Sequence, residues 1–249
     1  MSSEAIISVR HLRKVFQIAR DRPVSIKERI LRSNKSNLSP FLALDDVSFE
    51  VESGDAVGIL GHNGSGKSTL MKCVSGIMYP TSGNVDVRGR VVPLLELGAG
   101  FQPDLSGREN IYMNAAILGL SRKQTQETFD GIVEFSGLTD FLDVPVRHYS
   151  SGMYARLGFA IAVHVQPEIM IFDEVLAVGD EAFQAKCVVK ISEMVARGTT
   201  MLLVTHSVAQ MKKVCNRAIV LSHGKIIKAG DPSECGDVYQ SLNNDTSLG

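Results

Sequence analysis

Residues 56 to 72, AVGILGHNGSGKSTLMK, constrain this chain more than any other stretch. Val57 to Leu60 form a short apolar run that reads as a buried strand. The run breaks into Gly61-His62-Asn63-Gly64-Ser65-Gly66, and Lys67-Ser68-Thr69-Leu70-Met71 then begins a helix. Strand, glycine-rich turn, Gly-Lys-Ser and helix, in that order, form the context in which G-x-x-x-x-G-K-[ST] cradles phosphate. Glycines let the backbone turn its N–H groups inward, and the helix N-terminus adds unpaired donors and a positive partial charge. Lys67 is expected to reach the outer phosphates and the Ser68 hydroxyl to sit on Mg²⁺. With Gly at about 7% of residues, a chain this long matches by accident roughly one time in a hundred.

Bulk properties narrow the class. At 249 residues the chain can bury a substantial core in one large domain or two small ones. A net charge of −1 gives the whole molecule no general attraction for nucleic acid or anionic membrane. Cys73, Cys187, Cys215 and Cys235 are scattered without a C-x-x-C pair, which fits reduced thiols better than a disulfide framework or zinc site. Met1 to Arg10 lacks the apolar core of a signal peptide, and no window approaches the length of an uninterrupted membrane span. The expectation is a soluble cytosolic protein that a partner can hold on a membrane.

Residues 6–16 and 47–51 are strand-like, the second with clean alternation, and predict an antiparallel layer beside the nucleotide strand. Between them, residues 17–40 form a polar, basic insertion in which Ile26, Ile30 and Leu31 fall at helical spacing. It reads either as a solvated excursion or as a contact for anionic headgroups or a partner. Strands are expected at 84–88 and 91–96, and helices at 108–118, 122–135 and 153–165, so that 106–165 is largely helical. Ile169 to Phe172 and Thr200 to Val204 are short and unalternating, as parallel strands buried on both faces are, with a helix over 182–197 between them. Residues 218–229 read as a hairpin turning at His223-Gly224, and the C-terminal residues as a frayed tail. The expected organisation is one domain over 1–240 and a tail over 241–249.

The apolar strand at 169 ends in Asp173-Glu174. Ligands collect at the carboxyl ends of strands in open α/β sheets. Asp173 is therefore expected to meet the Mg²⁺ held by Ser68, and Glu174 to face an attacking water, the roles phosphoryl transfer requires.

With these residues in view, the chain resembles the ATP-binding-cassette ATPases. Tyr149-Ser150-Ser151-Gly152-Met153 resembles that family's Leu-Ser-Gly-Gly-Gln signature, with Ser151 for Gly and Met153 for Gln. The stretch from Glu174 to Asp180 resembles its dimer-contact loop, and His206 matches its switch histidine. The resemblance implies an α/β fold: a P-loop NTPase (RecA-like) core with a mostly parallel sheet, an antiparallel β layer and an inserted α-helical subdomain. It implies ATP and Mg²⁺ as ligands, with Glu174, His206 and Lys67 catalytic. ATP would lie between two head-to-tail copies, Gly61 to Thr69 of one facing Ser150, Ser151 and Gly152 of the other, with Asp180 linking the two sites. The family's glutamine falls near Glu96 by position, with Gln102 further into the loop. The adenine-stacking aromatic is assigned to Phe16, with Phe41 its rival.

Three stretches, 94–120, 147–162 and 172–187, resemble the subgroup that exports lipid-linked polysaccharides such as O-antigen, capsule or teichoic acid. The resemblance implies a homodimer of cassettes working with separate transmembrane permease subunits, at the cytoplasmic face of the inner membrane. Loop 96–110 and the helical region are where a push on the permease would be received. Gly98-Ala99-Gly100 reads either as a site of close backbone approach for a permease helix or as a flexible connector. A nucleic-acid role is disfavoured, because only the insertion offers a basic stripe.

Overall fold

A computed structural model describes residues 5–19, 38–94, 98–173 and 179–246. Two long strands, β1 (Ala5–Ala19) and β2 (Leu38–Glu52), come first. They are followed by β3 (Ala56–Leu60), α1 (Lys67–Val74), β4 (Ser82–Val87) and β5 (Val91–Leu94). Three helices, α2 (Gly107–Ile117), α3 (Arg122–Ser136) and α4 (Ser151–His164), occupy the middle of the chain. The chain continues through β6 (Ile169–Asp173), α5 (Glu181–Ala196), β7 (Thr200–Val204) and α6 (Val208–Val214). It closes with β8 (Arg217–Ser222), β9 (Lys225–Gly230) and α7 (Pro232–Thr246).

Two sheets result. One is antiparallel, in the order β2-β1-β4; the other runs β5-β6-β7-β3-β8-β9 and is parallel except for β9. The short apolar strands alternate between two cores. Val57, Ile59, Ile169, Ile171, Leu202 and Val204 pack with α1 and the antiparallel layer. Their neighbours Leu60, Met170, Phe172, Met201 and Leu203 pack with the helices. Both faces are buried, so the period of two is hidden in an unbroken apolar run. Gly58 has no side chain where Met211 of α6 presses against β3.

The helix starts carry their own signals. Ser106 and Glu109 form a reciprocal capping box on α2, as Ser121 and Gln124 do on α3. Gly137, at φ 64°, ends α3 in the left-handed conformation that glycine adopts most easily.

Three expectations change. β1 runs from Ala5 to Ala19 where 6–16 is expected, β2 from Leu38 to Glu52 where only 47–51 is, and residues 17–19 and 38–40 of the expected insertion belong to this ribbon. The rest of the insertion, with its proposed helix, lies outside the described residues. The tail expected from residue 241 is helical through Thr246.

Candidate active site

β3 delivers the chain into the loop Gly61–Gly66 at the carboxyl edge of the parallel sheet. Gly66 stands at φ 106°, and a Cβ there would lie 2.7 Å from the Ala43 carbonyl oxygen. Gly64 is also left-handed, at φ 80°, with open space around it. No side chain caps α1, and no acidic residue sits in its first turn, so its leading N–H groups keep their positive field for an anion.

Lys67 is only 6% exposed, and its Nζ donates to the carbonyls of Gly61 at 2.6 Å and His62 at 3.0 Å. A buried ammonium needs such acceptors, and phosphate oxygens are stronger ones. Ser65 Oγ and His62 Nε2 are buried without a hydrogen-bond partner. Orphans of this kind, in a glycine-built cradle, fit a polyphosphate. A cavity of about 220 Å³ opens over the loop, lined by Asn63, Gly64, Gly66, Lys67, Ser68, Thr69 and, from β2, Phe41 and Ala43.

Strand register brings the other groups to the same edge. Asp173 ends β6 opposite Val204 of β7, and Val204 lies opposite Ile59 of β3. Asp173, the loop and the Thr205-His206 exit of β7 therefore leave three neighbouring strands side by side. His206 is exposed, and the Tyr239 hydroxyl lies 3.5 Å from its Nδ1. The hydroxyl of Ser68 and the carboxylate of Asp173 are hard oxygen donors, the set that suits Mg²⁺ completed by phosphates.

The signature residues stand elsewhere. Ser150 caps α4, its Oγ accepting from the Met153 N–H at 3.2 Å, and Ser151 is exposed. A Cβ on Gly152 would meet nothing closer than Ser150 Oγ at 3.9 Å, so this helix start is open. None of residues 149–153 lines the cavity over the phosphate loop. Asp180 caps α5, its Oδ1 accepting from the Phe183 N–H at 2.8 Å.

Phe16 lies directly across the ribbon from Phe41, in register, with the Lys14 ammonium 5.3 Å from its ring centre. Phe41 lines the cavity and Phe16 is not among its lining residues. Glu96 and Glu174 lie outside the described residues. Gln102 is exposed, its N–H bound to Asn110 Oδ1 at 2.8 Å. Asn110 Nδ2 donates back to the carbonyls of Gln102, Leu105 and Ser106. This buried asparagine holds the loop, a role no sequence motif announced.

All four cysteines are free and buried, and burial pushes the Cys187 and Cys215 thiols up to about 12. Thiols that far from ionisation are poor nucleophiles.

A phosphate loop at a parallel-sheet edge, with a strand-end carboxylate and histidine beside it, defines a P-loop nucleotide hydrolase. Residues 44–177 match the ABC transporter family, and the chain belongs to it as an ATPase whose hydrolysis is coupled to transport. It is 43% identical over 239 residues to the O-antigen export system ATP-binding protein RfbB of Klebsiella pneumoniae, covering 94% of this chain and 97% of that one. It is 38% identical to the teichoic acids export ATP-binding protein TagH of Listeria innocua, over 97% of this chain and 72% of the relative. Among solved structures, an ABC transporter ATP-binding subunit superposes with a TM-score of 0.74 at 22% identity, covering 92% of this chain and 91% of that one. The dimeric post-hydrolysis cassette MJ0796, bound to ADP and Pi, gives 0.73 at 18% identity over 91% and 98% of the two chains. These two likenesses show the fold. Among the described residues, no helix is long and apolar enough to cross a membrane.

Proposed function

We propose that this chain is the ATP-hydrolysing subunit of a transporter that exports a lipid-linked polysaccharide, O-antigen foremost, through a separate permease. The observation that carries the substrate reading is the identity to RfbB along nearly the whole of both chains. The similarity to TagH favours a second reading, in which the polymer is teichoic acid. Capsule export belongs to the same class.

In this reading the N–H groups of Gly61 to Thr69 grip the ATP phosphates, and Lys67 exchanges its carbonyl partners for phosphate oxygens. Phe41 supports the adenine ring. Ser68 and Asp173, with Glu96 by resemblance, hold Mg²⁺, which when bound neutralises charge on the phosphates. Glu174 takes the proton of the attacking water, and His206 donates to a γ-phosphate oxygen. The open side of that phosphate is closed by Ser150, Ser151 and the Gly152 N–H of a second copy, at the start of its α4. Asp180 links the two sites. Two cassettes thus close on ATP and part after hydrolysis, because the shared contacts exist in only one state. A subunit acting this way works peripherally on its permease, at the cytoplasmic face of the inner membrane.

The test has two arms. Glu174→Gln protein should dimerise in size-exclusion chromatography only with ATP, and Ser150→Arg in that background should abolish the dimer. A strain lacking the chain should lose surface O-antigen. An unchanged glycan profile overturns the transport reading, and a Glu174→Gln protein that stays monomeric with ATP overturns the hydrolytic one.

A further inference from the structure

Tyr239 touches two parts of the site that are distant in sequence, the phosphate loop and the exit of β7. It is 5% exposed on α7, the C-terminal helix. Its hydroxyl approaches His206 Nδ1 at 3.5 Å, and its ring centre lies 5.6 Å from the imidazole of His62 in the phosphate loop, tilted by 41°.

The helix that carries it is firmly placed. One turn earlier, Cys235 is fully buried and its Sγ donates to the Ala218 carbonyl of β8 at 3.4 Å. Gly236 is bare where α6 comes close, since a Cβ there would lie 2.6 Å from Val208 Cγ1. α6 is the helix that follows His206, so α7 is fixed to both the sheet and the element behind the switch.

We propose that Tyr239 is a positioning residue that sets the tautomer and orientation of His206, resting on the reading of His206 as the γ-phosphate contact. The chemistry follows from the two ring nitrogens. A neutral imidazole has one N–H and one bare nitrogen, and the partner of one decides the role of the other. A phenol O–H donating to Nδ1 leaves the proton on Nε2, which then donates outward to phosphate oxygen. Without that donor the Nδ1 side no longer favours this tautomer, and in the other one Nε2 presents a lone pair to an anion. The same ring braces His62, so loop and switch lean on one side chain.

The experiment uses the full chain, labelled with ¹⁵N at histidine, and the variants Tyr239→Phe and His206→Ala. Wild-type protein should show His206 as the Nε2–H tautomer, its signals assigned by their loss in His206→Ala. Tyr239→Phe keeps the ring and removes the hydroxyl. It should mix the tautomers and lower kcat about tenfold, the usual cost of losing a residue that orients a functional histidine. KM for ATP should stay within about twofold, because ground-state binding is untouched. Wild-type kcat with an unchanged His206 spectrum in Tyr239→Phe overturns the proposal. If His206→Ala itself keeps full turnover, the γ-phosphate reading falls and the role of Tyr239 falls with it. If His206→Ala is inactive and Tyr239→Phe is not, Tyr239 alone loses its role.

Discussion

The Tyr154 hydroxyl donates to the Gly98 carbonyl at 3.0 Å, and its ring fills the space that a side chain on Gly98 would need. Tyr154 lies on α4, four residues after Ser150, and packs edge-on to Phe101 with ring centres 4.8 Å apart. The bare backbone at Gly98 therefore admits the chain's own signature helix. Asn114 adds a second tie, its Nδ2 donating to the Ala99 carbonyl at 3.0 Å. Whatever moves loop 98–106 moves the start of α4 with it.

Gly98→Ala should therefore weaken this joint. Gly98 is at φ 75°, and an added methyl would collide with the Tyr154 ring. The expected loss is about 1–3 kcal/mol of unfolding free energy, as for other forced overpacking, read from urea denaturation. Tyr154→Ala in the Gly98→Ala background should recover the steric share but not the strain of positive φ. A double-mutant cycle with zero coupling would show that the two residues act independently.

Phe41 and Phe16 make opposite predictions although they face one another. Phe41→Ala should weaken binding of a fluorescent ATP analogue by roughly tenfold, which corresponds to about 1.4 kcal/mol of lost ring contact. Phe16→Ala should change affinity by less than about twofold. The reverse order would return the adenine to Phe16.

Gly66→Ala tests the cradle. Its Cβ would press on the Ala43 carbonyl in a left-handed backbone conformation, so the loop must shift. ATP binding should fall at least about tenfold. The fold should persist with a small loss of stability, because the new methyl also presses on the buried Leu44 Cδ2 at 2.9 Å, the end of a side chain that can give. Calorimetric titration with ATP, alongside circular dichroism, separates the two effects.

Acid should expose the joint at Asp55. Burial raises the carboxyl pKa, but hydrogen bonds from Arg217, the Glu52 N–H and Asn216 outweigh it and hold Asp55 below its ordinary 3.8. A carboxylate with a depressed folded-state pKa stabilises the fold above 3.8, and the contribution is lost as pH falls through the folded value. Asp55→Asn should cost about 1.5–3 kcal/mol at neutral pH, the range for hydrogen bonds to charged groups. The gap from wild type should close below pH 3.8 in denaturant titrations. A gap independent of pH would mean that the charge contributes nothing.

Local chemistry made much of this protein legible in sequence. The phosphate loop, the Asp173 strand end and the capped helix starts are each written within a few neighbouring residues. The hairpin at His223-Gly224 is too, with both residues left-handed at φ 47° and 77°. The end of the C-terminal helix is hard to read in sequence because it runs NNDT, poor helix formers. Asp231 accepts from the Ser233 and Glu234 N–H groups ahead of Pro232, and Cys235, Val238, Tyr239 and Leu242 recur at helical spacing. The meeting of Tyr239 with His206, and of Tyr154 with Gly98, depends on tertiary packing that no local pattern carries. Which of the register partners Phe16 and Phe41 borders the loop cavity depends on how the ribbon packs there, and Phe41 is the one that lines it.

The turn at His223-Gly224 also sits behind the phosphate loop. The Gly224 N–H donates to the Ser65 carbonyl at 2.9 Å, and its own carbonyl accepts from the Asp45 N–H at 2.9 Å. A Cβ on Gly224 would lie 2.7 Å from the Ala43 oxygen, so the turn cannot swell. The anion cradle is thus shimmed from outside by a two-residue bend that touches no ligand. Lengthening that bend by a single residue would slacken the grip on ATP while leaving every residue of the motif in place.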